Sequence, residues 1–175
     1  MYCSCIGGGG FALVKAPNGS FEFINYCEKA PAAAFENMSG DKTNAATNGG
    51  LASGVPGDLR GLEYLQTKYG FLPWSTVFQP SIKLAREGFP VTEDLVHYMA
   101  SAVEGNGYFL CNDLNSALEL CANGTRLGLG DTMTRKRYAA TLETIANKGA
   151  DTFYSGPIAE STIKAVQATN GTMAL

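Results

Sequence analysis

Histidine is almost missing from this 175-residue chain, and the one present is His97. Ser-His-Asp chemistry would rest on that residue alone. A zinc site would have to be assembled from distant single residues. A basic excess is missing too. Thirteen Lys and Arg stand against 16 Asp and Glu, a formal net charge of −3 with no basic stripe. That argues against nucleic acid as a partner. No apolar run approaches the ~20 residues of a membrane-spanning helix. Residues 1–6 carry no charged leader and are followed by glycines, so they do not read as a secretory signal. Cysteine is sparse and odd in number: Cys3, Cys5, Cys27, Cys111 and Cys121. That is too few for a disulfide framework, and small buried or surface thiols are the expectation. Cys3-x-Cys5 has no second pair near it to complete a metal site.

The hydrophobic share, 45%, is ordinary for a globular protein, and the length allows one domain with a moderate core. Phe11–Lys15 and Phe21–Cys27 read as two strands joined by the turn signal Pro17-Asn18-Gly19. Ala30–Phe35 reads as a short helix with proline near its start. Residues 36–50 read as a polar loop. After a turn at Pro56-Gly57 the chain becomes mainly helical. Leu59, Leu62, Leu65 and Tyr69 share one face of a helix that starts at Asp58 and stops at Gly70. Leu72–Arg86 is a second helix, which Pro80 should kink or divide. Thr92 is a candidate N-cap for a third, with Leu95, Val96, Met99 and Val103 inward and His97 in half-exposed packing. Residues 105–133 read mostly as loop with a short helix near Asn115–Cys121. Thr134–Lys148 is the clearest helix, with Tyr138, Leu142, Ile145 and Ala146 as its stripe, Arg135, Lys136 and Arg137 on the wet side and Gly149 as C-cap. A last helix runs from about Pro157 to Ala168. Two hairpin strands are a poor core for so many amphipathic helices, so the layout calls for strands from sequence not included here.

Among the motifs, Ile6-Gly7-Gly8-Gly9-Gly10-Phe11 lacks the Gly-Lys-Ser/Thr of a phosphate loop, and its glycines precede a strand rather than open a helix. Close backbone approach to a neighbouring strand or to a ligand is the better account. Glu28 and Asp113 are carboxylates with no acid/base spacing. Asn-x-Ser/Thr glycosylation acceptors occur at Asn18, Asn37, Asn123 and Asn170, where the 11 asparagines and 24 Ser and Thr give a chance expectation of about 1.5. The excess leans toward a eukaryotic secretory route.

The order of segments is more telling than any one of them. The glycine run is followed by Ala30-Pro31-Ala32-Ala33, then Gly54-Val55-Pro56-Gly57-Asp58-Leu59-Arg60-Gly61, then Tyr69-Gly70-x-Leu72-Pro73-Trp74. Pro80–Val91, Leu142–Ala146, Gly149–Tyr154 and Gly156–Ala159 complete the series. In this the chain resembles the gamma-glutamyltranspeptidase family over nearly its whole length, most weakly at residues 105–130. The resemblance implies an α+β fold, part of the N-terminal-nucleophile hydrolase (αββα) architecture, with residues 1–175 a single incomplete domain of the large subunit. It also implies cleavage of gamma-glutamyl amides such as glutathione and transfer to water, amino acids or peptides, without a cofactor. The nucleophile would be the N-terminal threonine of the small subunit of the same precursor, so no catalytic residue lies in this chain. It further implies a location on the extracellular face of the plasma membrane, secreted or vacuolar. The family pattern Arg-Glu-x-Ala-Pro supplies an arginine for the glutamyl α-carboxylate. Here Cys27-Glu28-Lys29-Ala30-Pro31 puts Cys27 in that substrate-binding place. A working enzyme, a relative with altered specificity and an inactive partial-gene product all remain open at this point.

Overall fold

The computed structural model describes residues 5–40, 43–46, 49–106 and 109–175. It divides into two compact units, one formed by residues 1–74 with 145–175 and the other by residues 75–144.

The first unit opens with the hairpin of β1 (Phe11–Lys15) and β2 (Phe21–Asn25), antiparallel with Leu13 opposite Phe23. The turn between them is the expected one: Asn18 Oδ1 accepts from Ser20 N at 3.0 Å, and Gly19 takes φ +84°. The second strand ends two residues earlier than its composition suggests, but Tyr26 still exchanges backbone hydrogen bonds with Gly10. One face of the hairpin carries Phe11, Leu13, Phe21 and Phe23, each more than 60% exposed. Residues 30–35 form turns rather than a helix. Six residues are too few to repay helix nucleation without a packing partner. Within 36–50, Thr43–Ala46 forms a short 3-10 turn, and residues 41, 42, 47 and 48 lie outside the described part.

Helix α1 (Asp58–Tyr69) follows, and the Gly70 N–H closes its last turn on Gln66. Leu59 is wholly buried on its inner face, whereas Leu62 stays 39% exposed. The far end of α1 is tied to β2. The Glu22 carboxylate accepts from Tyr64 Oη at 2.6 Å, Lys68 Nζ at 2.7 Å and Tyr69 Oη. These bonds, that of Lys68 foremost, hold the Glu22 carboxyl at about 2, below its ordinary 4.5. A carboxyl depressed on folding adds stability above its unfolded pKa and loses it as pH falls through the folded value. The hairpin–helix junction is therefore expected to weaken between about pH 4.5 and 2. Urea midpoints measured across that window should fall more steeply in the natural protein than in Glu22→Gln. Equal slopes would contradict the assignment.

The second unit is mainly helical. Helix α2 (Trp74–Glu87) is continuous through Pro80, so the proline does not divide it. Thr76 and Pro80 are both exposed, so the one backbone bond that proline forfeits is lost at the surface, where water can replace it. Gly88, at φ +100°, ends the helix and leads into β3 (Phe89–Pro90), which pairs antiparallel with β6 (Thr132–Met133). Thr92 caps α3 (Glu93–Asn106), with Leu95 N donating to its Oγ1 at 3.4 Å. Val91, Met99, Leu110 and Met133 are the core, with Leu95 and Val96 packed against it. The side chain of Val103 lies outside the described residues, and His97 is exposed beside Tyr98.

Among its described residues, the stretch read mostly as loop holds the expected short helix and further elements. It contains α4 (Phe109–Asn112), α5 (Leu114–Leu120) and a hairpin of β4 (Cys121–Ala122) with β5 (Thr125–Arg126). A disulfide joins Cys111 to Cys121, correcting the expectation of unpaired thiols. The crosslink closes a ten-residue span, so these short elements need little hydrophobic core. Helix α6 (Lys136–Lys148) buries Leu142, Ile145 and Ala146 as its periodicity requires, and Gly149 ends it at φ +89°. Arg135 is a second correction. It is not on the wet side but pairs with Glu119 at 2.5 Å and lies over the Tyr138 ring.

Back in the first unit, α7 (Asp151–Tyr154) is a turn the sequence did not announce, and α8 (Pro157–Gln167) matches its expected span, with proline in the first turn.

Candidate functional site

Cys27 sits where three pieces of the first unit converge, and glycines make the convergence possible. A Cβ at Gly9 would collide with the Tyr26 carbonyl, one at Gly57 with the Tyr26 and Cys27 carbonyls, and one at Gly61 with the Tyr26 ring. The glycine run is thus a strand-approach device, the first of its two expected readings. Its backbone also receives α1: Gly57 N and Asp58 N both donate to Gly8 O, at 2.9 and 3.0 Å. On the other side, Lys29 and Val55 exchange N–H···O bonds of 3.0 and 2.8 Å. Residues 26–29 are therefore clamped on both edges. Cys27 N donates to Asn25 Oδ1 at 3.1 Å, and the half-buried thiol faces Gly10 O at 3.7 Å.

The clamp borders a cavity of about 610 Å³ lined by Cys27, Lys29, Tyr26, Tyr64, Arg60 and Tyr154 among others. Two cations and a thiol thus share one space. Arg60 is already committed. It pairs with Asp151 at 2.6 Å and Glu63 at 3.1 Å, and its guanidinium lies 4.5 Å from the Tyr154 ring centre. Asp151 chiefly holds the guanidinium pKa above its usual value. Burial is the main cause of the raised Tyr154 phenol, whose Oη is buried without a partner among the described residues. Burial, reinforced by Glu28, also raises the Asp58 carboxyl in the first turn of α1.

The sequence singled out Cys27 and Lys29, and both line the cavity. It missed Arg60 and Tyr154. Arg60 follows Gly57 by about one helical turn, and Gly57 touches Cys27, so the spacing contained the signal once those contacts were known. Tyr154 is brought in by α7, which no periodicity marks. Asn18, Asn37, Asn123 and Asn170 do not belong to the site; all four stand exposed elsewhere on the chain. No group of three or more metal-ligating side chains occurs among the described residues, and Cys3 lies outside them.

The family model for gamma-glutamyltranspeptidase matches residues 1–175. The chain belongs to the gamma-glutamyltranspeptidase family. It is 54% identical over 175 residues to the glutathione hydrolase proenzyme of Arthroderma benhamiae, covering all of this chain and 30% of that protein. It is 53% identical over 176 residues to the glutathione hydrolase of Aspergillus flavus, covering 29% of it. Among solved structures, the Helicobacter pylori gamma-glutamyltranspeptidase superposes with a TM-score of 0.91 at 31% identity, covering 99% of this chain and 50% of that one. The chain therefore spans about 30% of the length of its curated relatives. As a gamma-glutamyltranspeptidase segment it has the α+β, N-terminal-nucleophile hydrolase type of fold that the order of its motifs implied.

Proposed function

We propose that these 175 residues belong to an enzyme that cleaves gamma-glutamyl amide bonds, glutathione among them, and passes the glutamyl group to water, an amino acid or a peptide. The observation that carries this reading is the match of the family model to every residue of the chain, with relatives above 50% identity that are named glutathione hydrolases. In this reading a threonine hydroxyl from sequence outside these residues attacks the γ-carbonyl. The leaving amine takes a proton, and the acyl-enzyme is then resolved by water or an acceptor amine. No cofactor takes part. The contribution of this chain is the cavity wall. Residues 26–29 face the glutamyl α-carboxylate, with Cys27 in the place that the family pattern gives to arginine.

A second reading, altered donor specificity, is favoured by that same cysteine. A thiol offers no charge and no forked pair of donors to a carboxylate. The test uses the full-length product of the gene with a chromogenic gamma-glutamyl anilide, and separately with the matching anilide that lacks the α-carboxylate. Turnover of the first is expected, whereas residues 1–175 alone should release no aniline above a heat-killed control. Release by the 175 residues alone would overturn the assignment of the nucleophile. Turnover of only the second substrate would favour altered specificity.

A further inference from the structure

The described residues place the Asn123 acceptor in a small hairpin whose first strand is joined by the Cys111–Cys121 disulfide to α4. Cys121 opens β4, two residues before Asn123. Asn123 and Gly124 form the two-residue tip, both with positive φ, 52° and 78°. Asn and Gly suit such a turn because they tolerate the left-handed region. Asn123, Gly124 and Thr125 are all exposed, and nothing lies within 4 Å of a Cβ built at Gly124. The tip therefore has open space for a bulky modification.

Of the other three acceptors, Asn37 and Asn170 are less open, and Asn18 differs in its hydrogen bonding. Asn18 lies on a comparable tip, but its Oδ1 is held by both Ser20 N, at 3.0 Å, and Ser20 Oγ, at 2.7 Å. At Asn37 the two following residues, Met38 and Ser39, are half-buried. At Asn170, Gly171 has no room for a side chain against Val166, and the Thr172 hydroxyl is buried without a partner among the described residues.

We propose that Asn123 carries an N-linked oligosaccharide, displayed on a hairpin whose first strand a disulfide ties to α4. The disulfide is an independent pointer to the same chemistry. Disulfides form and persist in the oxidising secretory compartments, and Asn-x-Thr glycosylation takes place on that route. In the transfer, the Asn123 amide nitrogen gains a bond to the first sugar and loses a proton, and the lipid diphosphate that carried the sugar is the leaving group. Asn123 belongs to the second unit and is not among the residues that line the Cys27 cavity.

The test is mass spectrometry of the full-length gene product purified from its own cells. Intact glycopeptides should be scored, because an Asn-Gly pair deamidates spontaneously and would mimic an enzymatic deglycosylation mark. The expected result is a peptide with hexosamine on Asn123, an unmodified Asn170 peptide, and Cys111 and Cys121 recovered as a linked pair. Thr125→Ala, which leaves Asn123 in place, should abolish the glycan, and Thr125→Ser should restore it. An unmodified Asn123 overturns the proposal, as does a glycan on Asn18 with none on Asn123. The measurement on the natural protein decides the matter even if a variant fails to fold.

Discussion

Replacing Cys27 by arginine in the full-length protein is expected to raise kcat/KM for gamma-glutamyl donors by about 30-fold to several thousand-fold, mainly through KM. The estimate comes from the worth of a desolvated charge pair. Truncating one partner of such a pair costs about 2–5 kcal/mol, at roughly 1.4 kcal/mol per tenfold. The cavity beside Cys27 holds two other cations, Lys29 and Arg60, so the loss could be partly covered already. Arg60 is the poorer substitute, because Asp151 and Glu63 occupy its donors and Tyr154 its face. Lys29 is two residues from Cys27 and lines the same cavity, but an ammonium lacks the forked geometry of a guanidinium. Lys29→Ala should therefore lower efficiency in the natural protein and matter much less once Cys27→Arg is in place. A double-mutant cycle on the two positions reads that coupling directly. If Cys27→Arg leaves efficiency unchanged or reduces it, these residues do not face the glutamyl carboxylate.

Gly61→Ala is expected to destabilise the protein by about 1–3 kcal/mol, the usual range for overpacking a filled core. The sign is not obvious from α1 alone. Gly61 lies inside that helix, where alanine is better by roughly 0.5–1 kcal/mol. Packing should win, because the new methyl would fall on the ring of Tyr26, whose carbonyl and neighbour Cys27 are pinned against Gly9 and Gly57. The ring cannot yield without moving the residues that line the cavity. Activity should fall along with the urea midpoint. Gly128→Ala is a suitable control, since the nearest atom to its Cβ would be Asp131 Oδ2 at 3.6 Å, an ordinary contact. A higher midpoint for Gly61→Ala would mean that Tyr26 does not pack against α1 as described.

Local rules served well wherever a segment carried its own instructions. Pro17-Asn18-Gly19 marked the turn, Gly70, Gly88 and Gly149 ended their helices, Thr92 capped α3, and the stripe of α6 was legible by its period. Local rules failed where distant contacts decide. Residues 30–35 have helical composition but too little length to nucleate alone. Pro80 should kink or divide a helix, yet α2 is not divided there, because the forfeited bond lies at the surface. Within residues 105–133 the short helix near Asn115–Cys121 was legible, but the crosslink between Cys111 and Cys121 was not revealed by spacing alone.

The sequence by itself determined the family, since motif order and spacing survive without coordinates. Only the tertiary structure decided what surrounds Cys27. Arg60, Tyr64 and Tyr154 come to it from segments 33 to 127 residues away, and no local period encodes such a meeting. The physical reason is that chain direction is set by neighbours, through propensity, caps and turns. A cavity, by contrast, is set by which glycines let distant backbones touch, and here that depends on Gly9, Gly57 and Gly61 all closing on Tyr26 at once.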